Sequence, residues 1–270
     1  MPDITVKPLT ASIGAEVSGI DLARPLDGET RVALEHALAE HLALVFHDQE
    51  LTPDQYLAAA EAFGPPMVQH YSQHHMPGYP LIGLVWHRNG QRPAERWHTD
   101  HTNRERPPAA TILYGVEIPS KGGETSVASM RAAYKALPEE ERRRLEGLRT
   151  INTLDTDHHD TRSEDRDKFS GPFLHPMVRT HPVHGSNAVY FHAGKAVIEG
   201  MEPEAGKAYM GALIERMIRP EIVYTHNWRK GDVLVIDDRA TMHRAHGDYD
   251  RSESRVLWRI IVEGDRPRLA

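Results

Sequence analysis

The chain contains no cysteine among its 270 residues. This absence excludes disulfide bonds, thiolate nucleophiles and cysteine-ligated zinc or iron–sulfur sites. The sequence also has no run that approaches the roughly 20 apolar residues of a membrane-spanning helix. Residues 1–4 lack the basic and apolar segments of a secretory signal. We therefore predict a cytoplasmic protein that depends on neither disulfides nor a membrane.

Excess positive charge is also missing, since the formal net charge is −7. An electrostatic nucleic-acid binder needs a basic surface, so that function class is not expected.

Internal repeats and low-complexity linkers are absent, and one β-rich domain of this length is ordinary, so we predict a single domain over residues 1–270. Residues 153–170 are highly polar and aperiodic, which indicates an exposed loop, either a lid or a passive insertion.

Short apolar segments alternate with a few amphipathic ones along the chain. The apolar run 233–236 and the β-branched and aromatic segment 255–262 both predict strands. The polar stretch 246–254 between them fits a hairpin connection. Helical spacing predicts helices at 29–41, 53–62, 129–145 with a break at Pro138, and 204–218. Thr52 is the predicted N-cap of the second of these, with Pro53 at its first position and Gln55 three residues after Thr52. Many short strands with a few covering helices favour a mainly β fold of the jelly-roll barrel type.

His98 and Asp100 form a His-x-Asp pair. On a β-strand this spacing places an imidazole and a carboxylate on the same face, because strand side chains alternate. Two such groups and one distant histidine make the 2-His-1-carboxylate set that holds Fe(II) and leaves positions open for oxygen chemistry. His243 follows the strand predicted at 233–236 and is preferred to His246 as the third ligand. For His98 and Asp100 alone, a solvated surface pair is the alternative.

Two arginines mark the last predicted strand. Arg255 and Arg259 are four residues apart, so on a strand both point the same way as Leu257 and Ile261. A guanidinium on an apolar face needs an anionic partner, because an unpaired buried charge is costly. Two such arginines therefore suggest two anions. Internal ion pairing with aspartate or glutamate is the alternative for either arginine alone.

Eight segments, in order along the chain, place these residues in a common context. They are residues 13–22, 63–65, 97–100, 107–110, 122–125, 175–182, 237–243 and 255–259. In these segments the chain resembles the TauD/TfdA family of Fe(II)- and 2-oxoglutarate-dependent dioxygenases, almost from end to end. The resemblance implies a double-stranded β-helix, a cupin-like jelly roll, with His98, Asp100 and His243 as catalytic iron ligands. It also implies a homo-oligomer, either a dimer or a tetramer.

The resemblance further implies a site for 2-oxoglutarate, which in the family binds the iron through its C1 carboxylate and keto oxygen. It assigns the far carboxylate to Arg255, whose planar guanidinium can bind a carboxylate through two hydrogen bonds. Thr125 matches a threonine whose hydroxyl adds a hydrogen bond; a turn after the preceding glycine pair is the alternative for Thr125 alone. Ile236 and Asp238 stand where many relatives have Trp and Asn, and these departures are expected to leave the metal site unchanged.

The substrate-binding residues are predicted from the same resemblance. Arg259 matches a position that binds the anionic head group in taurine-type relatives, with a structural ion pair as an equal alternative. The other candidates are His70, with His74 and His75 as competitors, His101 and Asn103. For each histidine, a surface position or a structural hydrogen bond is the alternative. Together they indicate a small organic anion: a sulfonate, a sulfate ester, or a carboxylate such as an aryloxyalkanoate.

The predicted enzyme is an oxidoreductase that uses Fe(II), 2-oxoglutarate and O2 to oxidise a substrate C–H bond, with release of succinate and CO2. Hydroxylation, cleavage next to a heteroatom and desaturation are equally open outcomes. One rival is a cupin-like metal-dependent hydrolase or isomerase with the same three ligands, which gives no reason for Arg255 and Thr125. A second rival is a non-catalytic barrel that binds small anions, against which the intact ligand set argues.

Overall fold

The computed structural model of the chain describes residues 4–86, 94–154, 169 and 171–270. Most of the loop predicted at 153–170, whether lid or insertion, lies outside the described residues. The strands are β1 (Thr5–Pro8), β2 (Ala15–Ser18), β3 (Ala43–Phe46), β4 (Pro66–Met67), β5 (His75–Met76), β6 (Tyr79–Trp86), β7 (Pro108–Glu117), β8 (Thr125–Ser129), β9 (Arg149–Asn152), β10 (Phe173–Pro176), β11 (Val178–Thr180), β12 (Asn187–Val189), β13 (Ala196–Ile198), β14 (Val223–His226), β15 (Val233–Asp237), β16 (Thr241–Ala245) and β17 (Val256–Glu263). The helices are α1 (Gly28–His41), α2 (Pro53–Ala60), α3 (Met130–Ala136), α4 (Glu139–Glu146) and α5 (Pro203–Met217).

The large sheet has the strand order β1-β2-β3-β15-β7-β17-β6-β5, and β4 also pairs with β17. Strands β15 and β7 lie near its centre and pair antiparallel over five residues of β15. Residues 233–236 of β15 are buried on both faces of the sheet, which confirms the strand predicted from their continuous apolar run. Strand β17 pairs with β7 on one side and β6 on the other, so the segment with the two arginines is also central.

A small sheet of three strands, β14-β8-β16, shares a core with the inner face of the large sheet. Leu234 and Ile236 of β15 lie in this core together with Val127 of β8 and Met242 of β16. Two sheets that enclose one apolar core, with helices at their flanks, form the mainly β jelly roll that the sequence predicts.

The outer face of the large sheet packs against α1 and α2. Val233 and Val235 alternate with the inner residues of β15 and lie in a second core with Leu34 of α1 and Tyr56 of α2. Within the large sheet, side chains of successive residues therefore face two different apolar cores, and the sheet is covered on both sides.

Helix α2 begins where its capping residues predict. Thr52 Oγ1 accepts from Gln55 N at 3.3 Å and Gln55 Oε1 accepts from Thr52 N at 2.9 Å, which is the reciprocal cap expected for α2. Ser129 caps α3, and Pro138 separates α3 from α4, so the predicted interrupted helix is confirmed. None of the helices in the described ranges combines the length and apolar character needed to cross a membrane.

The connection between β16 and β17 differs from the prediction. Strand β16 pairs with β8 in the small sheet, whereas β17 pairs with β6 and β7 in the large sheet. Residues 246–254 therefore pass from one sheet to the other, and the hairpin prediction is wrong. A polar, glycine-containing stretch is typical of both kinds of connection, so its local composition could not distinguish them.

Candidate active site

His98, Asp100 and His243 converge, although not through the strand that their spacing suggested. His98 N donates to His243 O at 3.1 Å and His243 N donates to His98 O at 2.8 Å, which makes an isolated bridge to β16. Asp100 lies in the turn that follows, and Thr99 Oγ1 fixes this segment by donating to Thr241 O at 2.7 Å. The strand predicted for the His-x-Asp pair is wrong, because the segment pairs at one residue and then turns. His243 lies inside β16 rather than just beyond β15.

The three side chains each offer one ligand atom, and these atoms all lie within 4.8 Å of one another. His98 Nε2 is 3.7 Å from Asp100 Oδ1, less than the roughly 4.4 Å that two metal–ligand bonds of about 2.0–2.2 Å can span. His98 Nδ1 is 2.8 Å from Arg96 O, and a carbonyl only accepts, so Nδ1 bears the hydrogen and Nε2 keeps its lone pair. The donor types and their spacing fit a divalent metal ion.

Burial and charge set the protonation states of this cluster. Burial lowers the pKa of His98 and lowers the pKa of His243 to about 3, so both imidazoles are neutral near pH 7. Burial is the largest single influence on Asp100 and opposes its ionisation, but the surrounding basic groups, Arg259 foremost, together outweigh it and hold the pKa of that carboxyl well below its usual range. Neutral imidazole and ionised carboxylate are the forms in which these groups bind a metal.

Asp238, which stands where many relatives have Asn, lies beside this cluster. Asp238 Oδ1 is 3.8 Å from His243 Nδ1, and Asp238 Oδ2 is 2.6 Å from Thr111 Oγ1, which is 3.1 Å from Asp100 Oδ2. Burial and the nearby Asp100 raise the pKa of Asp238 well above its usual range. A threonine hydroxyl has one hydrogen, so a protonated Asp238 donates to Thr111 and Thr111 donates to Asp100. The acid then acts as the donor that an asparagine amide would be.

Arg255 and Thr125, the predicted cosubstrate residues, are brought together: Arg255 lies one residue before β17 of the large sheet, and Thr125 is the first residue of β8 in the small sheet. Arg255 Nε donates to Gly123 O at 2.8 Å, and Arg255 Nη2 reaches Thr125 Oγ1 at 3.5 Å. Arg255 Nη1 is buried without a hydrogen-bond partner, and no carboxylate among the described residues lies within ion-pair distance of this guanidinium. Burial lowers the pKa of Arg255 to about 10, which leaves it charged near pH 7. A charged arginine that is 2% exposed and makes no ion pair with any described residue fits an anionic ligand.

Arg259 lies beside the candidate metal ligands and has partners within the protein. Arg259 Nη1 is 3.4 Å from Asp100 Oδ2, and Arg259 Nε donates to Gln69 Oε1 at 2.6 Å. Gly83 is the strand partner of Arg259, and a Cβ there would lie 2.7 Å from Gln69 Oε1, so the glycine leaves room for Gln69. Arg259 therefore makes, in part, the structural ion pair that was the alternative to a substrate role. Even so, 24% of its side chain remains exposed.

The other three substrate candidates, His70, His101 and Asn103, form one buried cluster. His70 Nδ1 and His101 Nδ1 are 2.8 Å apart, so one donates and the other accepts. Asn103 Nδ2 lies 3.5 Å from His70 Nε2 and donates to Phe169 O at 3.1 Å. Burial and the charge of Arg104 lower the pKa of His70 to about 2. His101 Nε2 is buried without a partner, so it can hydrogen-bond to a ligand. None of these three side chains carries a fixed charge.

Two basic residues near His98 are not marked by any motif. The ring centroids of His192 and His98 are 5.8 Å apart. Lys195 is one turn further along, since Lys195 N donates to His192 O at 3.2 Å, and its Nζ donates to Tyr71 Oη at 2.9 Å. No described carboxylate lies within ion-pair distance of Lys195. A single lysine in a loop is ordinary, so the sequence contained no signal that could have identified it.

Residues 175–182 support the site from outside. His175 Nε2 is 2.9 Å from Thr102 O and 2.8 Å from Arg104 O, so it holds the loop that follows Asp100. His181 Nε2 is 2.9 Å from Asp237 Oδ2 at the end of β15. This segment therefore fixes the backbone on both sides of the candidate ligands without entering the cluster.

Comparison with known proteins gives consistent matches over almost the whole chain. The family model described as "Taurine catabolism dioxygenase TauD, TfdA family" matches residues 5–261. The chain is 30% identical to the (S)-phenoxypropionate/alpha-ketoglutarate-dioxygenase of Sphingobium herbicidovorans, over 98% of this chain and 96% of that protein. It is 32% identical to an alkylsulfatase of Acinetobacter baylyi, over 97% and 86%. A solved taurine dioxygenase structure from Burkholderia xenovorans matches with a TM-score of 0.83 and 35% identity, over 98% and 91%.

Proposed function

The chain belongs to the TauD/TfdA family of Fe(II)- and 2-oxoglutarate-dependent dioxygenases, and from this premise we propose that His98, Asp100 and His243 hold its iron. The observation that supports this assignment best is the convergence of two neutral imidazoles and one carboxylate within 4.8 Å. Iron bound there supplies the oxidising chemistry, in which 2-oxoglutarate and O2 are consumed, a substrate C–H bond is oxidised, and succinate and CO2 are released.

The protein's part is to bind and orient the two organic molecules. We propose that Arg255 and Thr125 bind the far carboxylate of 2-oxoglutarate. Arg255 Nη1 has no partner within the described protein, and the guanidinium can place two parallel N–H groups against a carboxylate. Arg255 is pre-oriented by Gly123 O, so little side-chain freedom is lost when the cosubstrate binds.

The substrate we propose is a small organic anion: a sulfonate, a sulfate ester or an aryloxyalkanoate. Relatives at 28–32% identity are named for 2,4-dichlorophenoxyacetate, phenoxypropionate and sulfate esters. Within this chain, Arg259 and Lys195 offer positive charge near the candidate iron site. His70, His101 and Asn103 offer the neutral polar contacts.

We also propose that the chain is one domain over residues 1–270, that 153–170 is a lid or insertion, and that the protein assembles as a dimer or tetramer in the cytoplasm. Its partners are then small molecules, with no nucleic acid and no membrane. These proposals rest on the family resemblance and on composition.

Substitution of Asp238 tests the donor role beside the ligands. Asp238→Asn is expected to keep metal affinity near that of the wild type, because the amide donates to Thr111 as the protonated acid does. Asp238→Leu is expected to weaken metal binding about 10- to 100-fold, as is typical when an outer hydrogen bond to a metal ligand is lost. Mn(II) affinity by equilibrium dialysis measures both. Equal loss in the two variants would contradict the donor role.

Substitution of Arg259 tests the anion-binding role. Arg259→Gln is expected to raise the apparent Kd of an anionic substrate about 10- to 100-fold, the range for a lost hydrogen bond to a charged group. Slow succinate release without substrate should persist, because the cosubstrate residues are untouched. Lys195→Met is measured in the same way, because Lys195 is the other positive charge near the candidate iron site. Loss of this uncoupled turnover in Arg259→Gln would instead assign Arg259 to the support of Asp100.

A succinate-release screen tests the proposed function as a whole. Sulfonates, sulfate esters and aryloxyalkanoates are supplied with Fe(II), 2-oxoglutarate and O2, and each component is omitted in turn. Neutral analogues of the same carbon skeletons serve as matched controls. We expect succinate release above the slow substrate-free rate only with Fe(II), 2-oxoglutarate and O2 all present and with the anionic member of a pair. Metal-dependent turnover that needs neither O2 nor 2-oxoglutarate would favour the hydrolase or isomerase rival.

A further inference from the structure

The hydroxyl of Thr125 has both of its acceptor positions in use. Trp228 Nε1 donates to Thr125 Oγ1 at 3.0 Å, and Arg255 Nη2 approaches the same oxygen at 3.5 Å. Indole and guanidinium nitrogens only donate, and a hydroxyl has two acceptor lone pairs and one hydrogen. The hydrogen of Thr125 must therefore point away from both Trp228 and Arg255.

No described acceptor takes this hydrogen, although Thr125 is 2% exposed. The neighbouring Arg255 Nη1 is likewise buried without a partner. Two unused donors on adjacent side chains match the two oxygens of a carboxylate. We propose that Trp228 is a positioning residue for the cosubstrate: its indole N–H turns the Thr125 hydroxyl so that it donates to the far carboxylate. This inference rests on the proposed role of Thr125 and Arg255.

Trp228 is itself held in place by a polar network. It follows β14, in which His226 is the strand partner of Thr125. The rings of Trp228 and His226 meet edge to face, with centroids 4.5 Å apart. His226 Nδ1 is 3.0 Å from Tyr224 Oη, and His226 Nε2 is 3.1 Å from Asp232 Oδ2. The indole thus packs against a ring that is hydrogen-bonded to Tyr224 at Nδ1 and lies beside the Asp232 carboxylate at Nε2.

The backbone of β7 also packs closely against the indole. A Cβ at Gly115 would lie 3.2 Å from Trp228 Cε3 and 2.9 Å from Arg229 O. Strand β7 therefore has a glycine where the indole and its neighbouring carbonyl pack. Packing from β7 and the network from β14 together fix the direction of the indole N–H, which is what a positioning role requires.

A double-mutant cycle on cosubstrate binding tests the inference. The Kd of 2-oxoglutarate is measured by calorimetry on the Mn(II)-loaded enzyme for the wild type, Trp228→Phe, Thr125→Val and the double variant. We expect Trp228→Phe to raise this Kd about 3- to 10-fold, the range of one net hydrogen bond. In the Thr125→Val background the same change should have no further effect, whereas in Thr125→Ser, which keeps a hydroxyl, it should persist.

A ligand without the far carboxylate separates positioning from general packing. 2-Oxobutyrate keeps the C1 carboxylate and keto oxygen, so its Kd should be the same in the wild type and Trp228→Phe. Additive effects in the cycle, or equal loss of 2-oxobutyrate binding, would overturn the inference while the proposed function stands. A wild-type enzyme that binds no 2-oxoglutarate would overturn both.

A measurement on the intact tryptophan covers the case in which Trp228→Phe does not fold. The chain has four tryptophans, so a ¹⁵N spectrum of the Zn(II)-loaded protein contains few indole signals. The indole N–H signal that moves in Thr125→Val should also move when 2-oxoglutarate is added to the wild type. If no indole signal responds to both changes, the inference is wrong.

Discussion

Asp100→Ala is expected to abolish Fe(II)-dependent succinate formation while the protein remains folded. Asp100 is the only carboxylate of the three-residue cluster, and its removal leaves two neutral imidazoles to bind a dication. It also removes the anion that faces Arg259 at 3.4 Å, which leaves a positive charge beside the ligands. The loss should exceed the roughly 10- to 100-fold effect typical of changes outside the ligand set.

The measurements are succinate formation and Mn(II) affinity, with circular dichroism to verify the fold. Asp21→Ala is the matched control, because Asp21 is an exposed aspartate whose described ion pair is with Arg24. Asp21→Ala should behave as the wild type. Wild-type metal affinity in Asp100→Ala would show that the cluster is not the metal site.

Arg255→Ala is expected to raise the Kd of 2-oxoglutarate by about 10²- to 10⁴-fold. Removing one partner of a buried charge pair costs about 3–5 kcal/mol, and each 1.4 kcal/mol is a factor of ten in affinity. The cause is the loss of the positive charge that would pair with 2-oxoglutarate, because its far carboxylate would then enter a buried site with no cation beside it. Calorimetry on the Mn(II)-loaded enzyme measures the change without turnover.

Arg255→Lys provides the matched control for charge without geometry. Lysine keeps the positive charge but offers no planar pair of N–H groups, so its effect should lie between the wild type and Arg255→Ala. If Arg255→Ala changed only the requirement for the main substrate, Arg255 and Arg259 would have to exchange their proposed roles.

Elements with strong local signals could be predicted from the sequence. The reciprocal cap of Thr52 and Gln55, the break at Pro138 and the buried run 233–236 all depend on neighbouring residues and are confirmed. The hairpin at 246–254 failed because strand pairing is a long-range property: β16 and β17 belong to different sheets, and nothing in the connecting stretch records that.

The candidate site likewise combines features that the sequence predicted with features that depend on long-range contacts. The His-x-Asp spacing identified residues that do converge, but the reason given for it, a shared strand face, is wrong because Asp100 lies in a turn. Asp238 and Trp228 could not be assigned roles from the sequence, since their importance depends on contacts with Thr111 and Thr125 from other strands. Gln69 was missed for a similar reason, because it reaches its partner only where Gly83 leaves room.

The most direct test of the central proposal is the position of the metal. Anomalous diffraction from a crystal of the enzyme with Mn(II) and 2-oxoglutarate should show one strong site, bound by His98, Asp100 and His243. A second group with ligand spacing, Glu124, His246 and Asp248, is present in the described part of the chain. Strong occupancy at that second group, with no metal between His98 and His243, would contradict the assignment.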